Sequence, residues 1–231
     1  GDADDPKEAA RRLVREGKQQ LLREQYGPAR ETFAKAIDKD DRNPAAWSGR
    51  GMAELKLRRL GAAQGDADRA LALDGSDATA HFTKGEVAVA RDQLDAALDS
   101  FNKTVQYEPD NMMAWYRIGY IRYRRGAYEL ARDAYRRTVA LDPRFDKAWY
   151  NLGLSEEKIG NTGGAVTAYQ RAIAVNPAYD KPSFNLGRLY YQARNFAAAR
   201  RQFSAVLAAQ PGNGDALVYL GLVSDELGQY E

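Results

Sequence analysis

Two tetrads, Tyr150-Asn151-Leu152-Gly153 and Phe184-Asn185-Leu186-Gly187, set an aromatic ring beside a side-chain amide at the same place, 34 residues apart. An amide both donates and accepts hydrogen bonds. Aromatic rings and guanidinium groups are the side chains that most often anchor a partner. Such residues recur around the tetrads: Tyr116, Arg117, Tyr120, Tyr123 and Arg124 before them, Lys147 and Lys181 just upstream of each, and Arg188 and Tyr191 after the second. This is chemistry for holding, not for bond breaking. The chain has no cysteine and one histidine, His81, so a thiol nucleophile, a Cys-ligated zinc and any two-histidine metal site are excluded. A Ser-His-Asp triad would have to be built on His81, and nothing in the sequence suggests one. Gly163-Gly164 lacks the spacing and the Lys-Ser/Thr of a phosphate loop and reads as a turn between helices. No catalytic residue, metal ligand or cofactor is assigned.

The elements that position these residues follow from a period. Glycines stand at 17, 51, 85, 119, 153, 187 and 221, each 34 residues after the last. Alanines keep the same step from Ala29 to Ala199, prolines from Pro109 to Pro211, and aromatics occupy Phe33, Phe101, Tyr135, Tyr169 and Phe203, with Ala67 the exception. Self-similarity at this spacing is the signature of a repeat architecture. Each unit reads as two short amphipathic helices. In residues 146–179, Asp146 is expected to cap the first helix, and Trp149, Leu152 and Gly153 share one face at i, i+3, i+4. Gly160 marks the turn, Ala165, Tyr169 and Ala172 face back from the second helix, and Asn176-Pro177 ends it. Small residues let the helices approach closely while a ring fills the space beside them.

The units resemble tetratricopeptide repeats, whose pattern is Trp-x2-Leu-Gly-x2-Tyr, then Ala-x3-Phe, then Pro. Trp115, Ile118, Gly119, Ala131, Tyr135 and Pro143 match it, as do Trp149, Leu152, Gly153, Ala165, Tyr169 and Pro177. Leu186, Gly187, Tyr190, Ala199, Phe203 and Pro211 match too, with Ser183 in place of the Trp. The resemblance covers nearly the whole chain and implies an all-α fold, a right-handed superhelical solenoid of antiparallel helix pairs, as a single domain over 1–231. Six complete units are expected at about 10–43, 44–77, 78–111, 112–145, 146–179 and 180–213, with 214–231 the first helix of a seventh, ending at the turn Leu227-Gly228-Gln229-Tyr230. The opening helix is expected from Pro6, capped by Asp5, to about Gln25. The 44–77 unit, with Ala67 for the ring and Gly65 inside its second helix, is expected to pack loosely. His81 stands in the Trp place and reads as a packing residue. The sequon Asn102-Lys103-Thr104 falls inside a helix and is discounted.

The resemblance also implies a place for binding. In such arrays the first helices line a concave face, and the family uses the stripe next to the packing stripe as its ligand groove. That stripe is Tyr116, Arg117, Tyr120, Tyr123, Arg124, Lys147, Tyr150, Asn151, Lys181, Phe184, Asn185, Arg188 and Tyr191. In relatives, a ladder of Asn in this place holds a peptide backbone; here only Asn151 and Asn185 form rungs. The family's clamp for acidic chaperone tails is matched by Asn151 and Lys181 alone, since Tyr116, Tyr120 and Asn185 replace its other members, so that role is not assigned. The expected function is a non-catalytic scaffold binding an extended, acidic and apolar protein segment. The alternatives are a structural or oligomerising module, or the regulatory part of a larger enzyme.

Charge sharpens this expectation. The chain is nearly balanced, with 34 basic and 32 acidic side chains. Residues 112–145 nevertheless carry eight basic against three acidic residues, 180–213 five against one, and 214–231 none against four. Such patches favour an acidic partner or contact between copies, and nucleic acid ranks below a peptide. The apolar runs are far too short to span a bilayer. A soluble protein of the cytoplasm or periplasm is expected, the compartment itself being unreadable without cysteines. Arg outnumbers Lys 24 to 10, which suggests a GC-rich, bacterial coding sequence. The first residues lack both Met and a signal pattern, which suggests a processed form or an excised segment. Leu217, Val218, Leu220, Leu222 and Val223 make the last helix too apolar for a solvating cap, so self-association through this incomplete repeat is also expected.

Overall fold

The computed structural model describes residues 5–228, and among them thirteen helices and no strand. The helices are α1 (Pro6–Leu22), α2 (Tyr26–Lys39), α3 (Pro44–Lys56), α4 (Leu60–Leu73), α5 (Ala78–Ala90), α6 (Leu94–Tyr107) and α7 (Met112–Arg124), followed by α8 (Tyr128–Leu141), α9 (Asp146–Ile159), α10 (Thr162–Val175), α11 (Asp180–Gln192), α12 (Phe196–Ala209) and α13 (Gly214–Gly228). The expected turn Leu227–Tyr230 lies in part outside the described residues. The chain forms two compact units, Gly1–Arg117 and Ile118–Glu231, divided within α7.

The period has a physical origin at two places in each repeat. The first is the close approach of the paired helices. A methyl group added to Gly153 would lie 2.4 Å from the Tyr169 ring, and one added to Gly85 would lie 2.6 Å from Phe101. Only hydrogen fits under the ring, which is why glycine recurs there. The second is the turn between the two helices of a pair. Glu24, Arg58, Asp92, Gly126, Gly160 and Arg194, again 34 residues apart, all have φ between 55° and 89°. This left-handed residue ends the first helix, and four of the six places carry a side chain despite the steric cost.

The turn between successive pairs is closed by the residue in the Trp place. The indole nitrogens of Trp47, Trp115 and Trp149 donate to the carbonyls of Asp41, Pro109 and Pro143, each at 2.8 Å. His81 stands in the same register, with Nε2 2.9 Å from the Gly75 carbonyl and its ring stacked on Tyr107 at 5.8 Å. The histidine is therefore a working part of the turn.

Three local expectations are corrected. The opening helix ends at Leu22, three residues before Gln25, because Glu24 adopts φ 58°. Asp146 is the first residue of α9 and does not cap it; its carboxylate accepts from its neighbour's N–H, that of Lys147, and from Asn176 Nδ2, each at 2.7 Å. The 44–77 unit is not loose. Without a ring at Ala67 the helices close in, so that a methyl group on Gly51 would sit 3.3 Å from Asp66 Cβ and 3.4 Å from the Ala63 carbonyl. Arg50 then donates twice to the buried Asp66, both bonds 2.9 Å. That hydrogen-bonded pair raises the guanidinium pKa further.

Candidate functional site

The first helices of the second unit present three adjoining hollows. Tyr120, Tyr123, Arg124, Tyr135, Asn151 and Leu154 enclose about 370 Å³. Tyr123, Tyr150, Leu154, Glu157, Lys158, Asn185 and Arg188 enclose about 500 Å³. Tyr150, Asp180, Lys181, Phe184, Asn185, Gln210, Asn213 and Asp215 enclose about 340 Å³. Tyr123 and Leu154 belong to the first two, Tyr150 and Asn185 to the last two, so the hollows run on from one another across α7, α9 and α11.

A hydrogen-bonded cluster sits at the centre. Glu157 accepts from the Tyr169 hydroxyl through one carboxylate oxygen and from Arg188 Nη2 at 2.6 Å through the other. Asn185 Nδ2 lies 3.3 Å from the Tyr169 hydroxyl and 3.5 Å from that of Tyr150. Burial pushes the pKa of Tyr123, Tyr150 and Tyr169 upward, and for Tyr169 the Glu157 carboxylate adds to the rise by holding the phenolic proton. These phenols stay neutral donors at any physiological pH.

Most of the expected residues come together here, with changes in what they offer. Arg117 lies in the first unit, where it donates to both oxygens of Glu86 at 2.7 and 3.0 Å. Tyr116 is half-buried in that same unit. Arg188 is paired with Glu157 through a single bond from Nη2, so neither arginine is an unmatched cation. Arg124 lies 5.7 Å over the Tyr120 ring. Lys147 and Lys181 are exposed in the first turns of α9 and α11. Tyr191 departs from expectation: it packs edge-on against Phe196 and Tyr219, each at 5.6 Å, and belongs to the core around α12 and α13. Arg136 of α8 holds the buried Glu156 at 2.9 Å.

A larger hollow, about 790 Å³, lies in the first unit and is absent from the sequence-based site. Ala45, Ser48, Gly49 and Met52 of α3 form one wall, with Leu21 and Leu22 of α1 and Ala78 and Thr79 of α5 around it. Ala45, Ser48 and Gly49 stand in the register of Lys147, Tyr150 and Asn151, so small residues leave open what long ones fill in the second unit. Gly49 has no alternative, since a methyl group there would lie 2.3 Å from Phe33. The run of small residues in one groove register was the available signal.

Models of the tetratricopeptide repeat match residues 14–78, 78–144 and 184–231, and a further model of the repeat matches 158–193. The chain belongs to the tetratricopeptide repeat family. No curated protein sequence matches it. Among solved structures, the tetratricopeptide repeat protein YrrB superposes with a TM-score of 0.72 at 24% identity, covering 80% of this chain and 95% of that one. PilF of Pseudomonas aeruginosa gives 0.77 at 14% identity, covering 96% and 99%. MamA gives 0.64 at 21%, covering 71% and 96%. The likeness to these chains is one of tetratricopeptide fold. Among the described residues no group of three or more His, Asp or Glu is arranged to hold a metal ion, and no helix is long and apolar enough to cross a membrane.

Proposed function

We propose that this chain is a non-catalytic scaffold, one continuous repeat array, whose second unit holds an extended segment of a partner protein along α7, α9 and α11. The observation that carries the reading is the row of three adjoining hollows walled by Tyr, Phe and Asn. Rings supply apolar contact, and Asn151 and the Asn185 carbonyl oxygen supply main-chain hydrogen bonds. Arg124, Lys158 and Lys181 suit an acidic residue on the segment, whereas Asp180 and Asp215 beside Lys181 oppose a uniformly acidic one. YrrB is described as having an unusual peptide-binding site, which supports a peptide as ligand. Ordering a flexible segment offsets much of the contact energy, so the affinity is about micromolar, or roughly −8 kcal/mol.

Capture from a lysate supplies the partner, and titration calorimetry with its binding segment tests the site. Asn151→Ala weakens binding by about 1–3 kcal/mol, and Arg124→Glu weakens it for acidic segments. Arg200→Glu, on an exposed second-helix position, binds like wild type. Loss in Arg200→Glu alone, with both groove variants unaffected, moves the site to the other helices. The rival reading, an oligomerising module, draws on the apolar residues exposed on α13; a concentration-dependent dimer in sedimentation velocity would favour it.

A further inference from the structure

We infer that the outer face of α8, α10 and α12 in the second unit is a docking surface for an anionic lipid membrane, on which the chain lies peripherally. Second helices form this face, so it is independent of the groove on the first helices. α8, α10 and α12 carry six arginines against two acids, Glu129 and Asp133. The corresponding helices of the first unit, α2, α4 and α6, carry five basic against six acidic residues, so the excess is not a property of the repeat. Asp133 is itself bridged by Arg132 at 3.1 Å. Arg137, Arg171, Arg200 and Arg201 are exposed, and Arg171 is held 5.8 Å over the Trp149 ring. The face does not depend on the last repeat. Arg137 and Arg171 stand on helices that further pairs follow, and Arg201 shares the register of the exposed Thr167 and Asp133.

α8 adds apolar side chains to the charge. Leu130 is 50% exposed and Leu141 41%. With Arg137 between them they stand at i, i+7 and i+11, on one stripe of the helix. Packing does not call for Leu130, since the same register holds Ala62, Ala96, Gly164 and Ala198. Leucine beside arginine selects the occupant. A nucleic-acid backbone would meet the arginines but offers nothing apolar to the two leucines. Partner proteins are commonly anchored by rings in well-packed pockets, and the five rings on these helices, Tyr128, Tyr135, Tyr169, Phe196 and Phe203, are buried or half-buried. Small exposed residues lie between the cations, among them Gly163, Thr167, Ala174, Ser204 and Ala205, so the Arg and Leu side chains stand above them. A bilayer interface takes both groups at once: anionic headgroups meet the guanidinium groups, and the acyl boundary meets the leucines.

Co-sedimentation of the full chain with vesicles tests this, using phosphatidylcholine alone and phosphatidylcholine mixed with phosphatidylserine. Saturable binding to the mixed vesicles is expected, with little to phosphatidylcholine alone, and it should fall as salt shortens the screening length. Arg201→Glu should weaken it about tenfold. Leu130→Ser should weaken it roughly threefold and leave its salt dependence unchanged. Lys35→Glu, the same change of charge at an exposed place on α2, should bind like wild type. All three side chains are exposed, so thermal melts of the variants should overlay that of wild type. The proposal is overturned if wild type ignores the mixed vesicles, if Leu130→Ser and Arg201→Glu bind them equally well, or if Lys35→Glu loses as much as Arg201→Glu. It is also overturned if a DNA duplex binds more tightly than the vesicles, or if wild type sediments as a dimer that Arg201→Glu converts to monomer, because nucleic acid or a second copy then occupies the face.

Discussion

At the scale of single residues, two positions of the repeat are under opposite constraints. Under the rings there is no room, so Gly153→Ala drives a methyl group into Tyr169 and should destabilise the chain by about 1–3 kcal/mol in urea denaturation. At the turns the constraint is conformational. Glu24, Arg58 and Arg194 hold φ of 58°, 64° and 60°, where a β-carbon crowds the following carbonyl. Glycine removes that crowding but widens the unfolded ensemble, so Arg58→Gly should stabilise by a net of about 0.5–1 kcal/mol. A loss of stability in Arg58→Gly would mean that its side chain does more than the turn requires.

At the scale of elements, the joints between helix pairs are hydrogen-bonded and not merely packed. Trp149 closes the turn before α9 by donating to the Pro143 carbonyl, and His81 does so before α5 from a smaller ring. His81→Ala should cost about 1–2 kcal/mol, from the lost bond and the lost stacking on Tyr107, while His81→Trp should restore what is lost. Thermal melts of the two variants side by side check this. If His81→Trp were no better than His81→Ala, the turn would not be what this residue serves.

At the scale of the whole molecule, the phenols tie stability to alkaline pH. Tyr123, Tyr150 and Tyr169 have pKa values raised above the ordinary 10.0. The unfolded chain releases these protons near that value while the folded chain still holds them. The unfolded state then binds fewer protons, so stability is fully present below about pH 10 and falls as pH rises beyond it. Urea midpoints from pH 7 to pH 11 should be level with respect to these groups up to about pH 9 and then decline. Tyrosinate absorbance should appear in full only as the chain unfolds. Complete titration of all 14 tyrosines in a chain that remains helical would contradict the buried cluster.

The sequence by itself determined the number of helices, their ends to within a few residues and the face that each buries. Those properties are local or strictly periodic: a glycine every 34 residues marks the first helix of each pair, under a ring at five of the seven places, and helix register then sets which stripe faces outward. Partner choice among side chains on that stripe is not periodic. Arg117 and Arg188 read as free cations in the sequence, yet each meets a glutamate 31 residues earlier, Glu86 and Glu157, brought alongside only when first helices stack. Tyr191 reads as part of the groove but turns into the core because Tyr219 and Phe196 offer it apolar surface. The hollow beside Gly49 left only a trace in the sequence, the small residues Ala45, Ser48 and Gly49 in one register, because its size is set by residues far apart in the chain. Tertiary structure decided these matters, since rotamers settle only against neighbours that the fold has already placed.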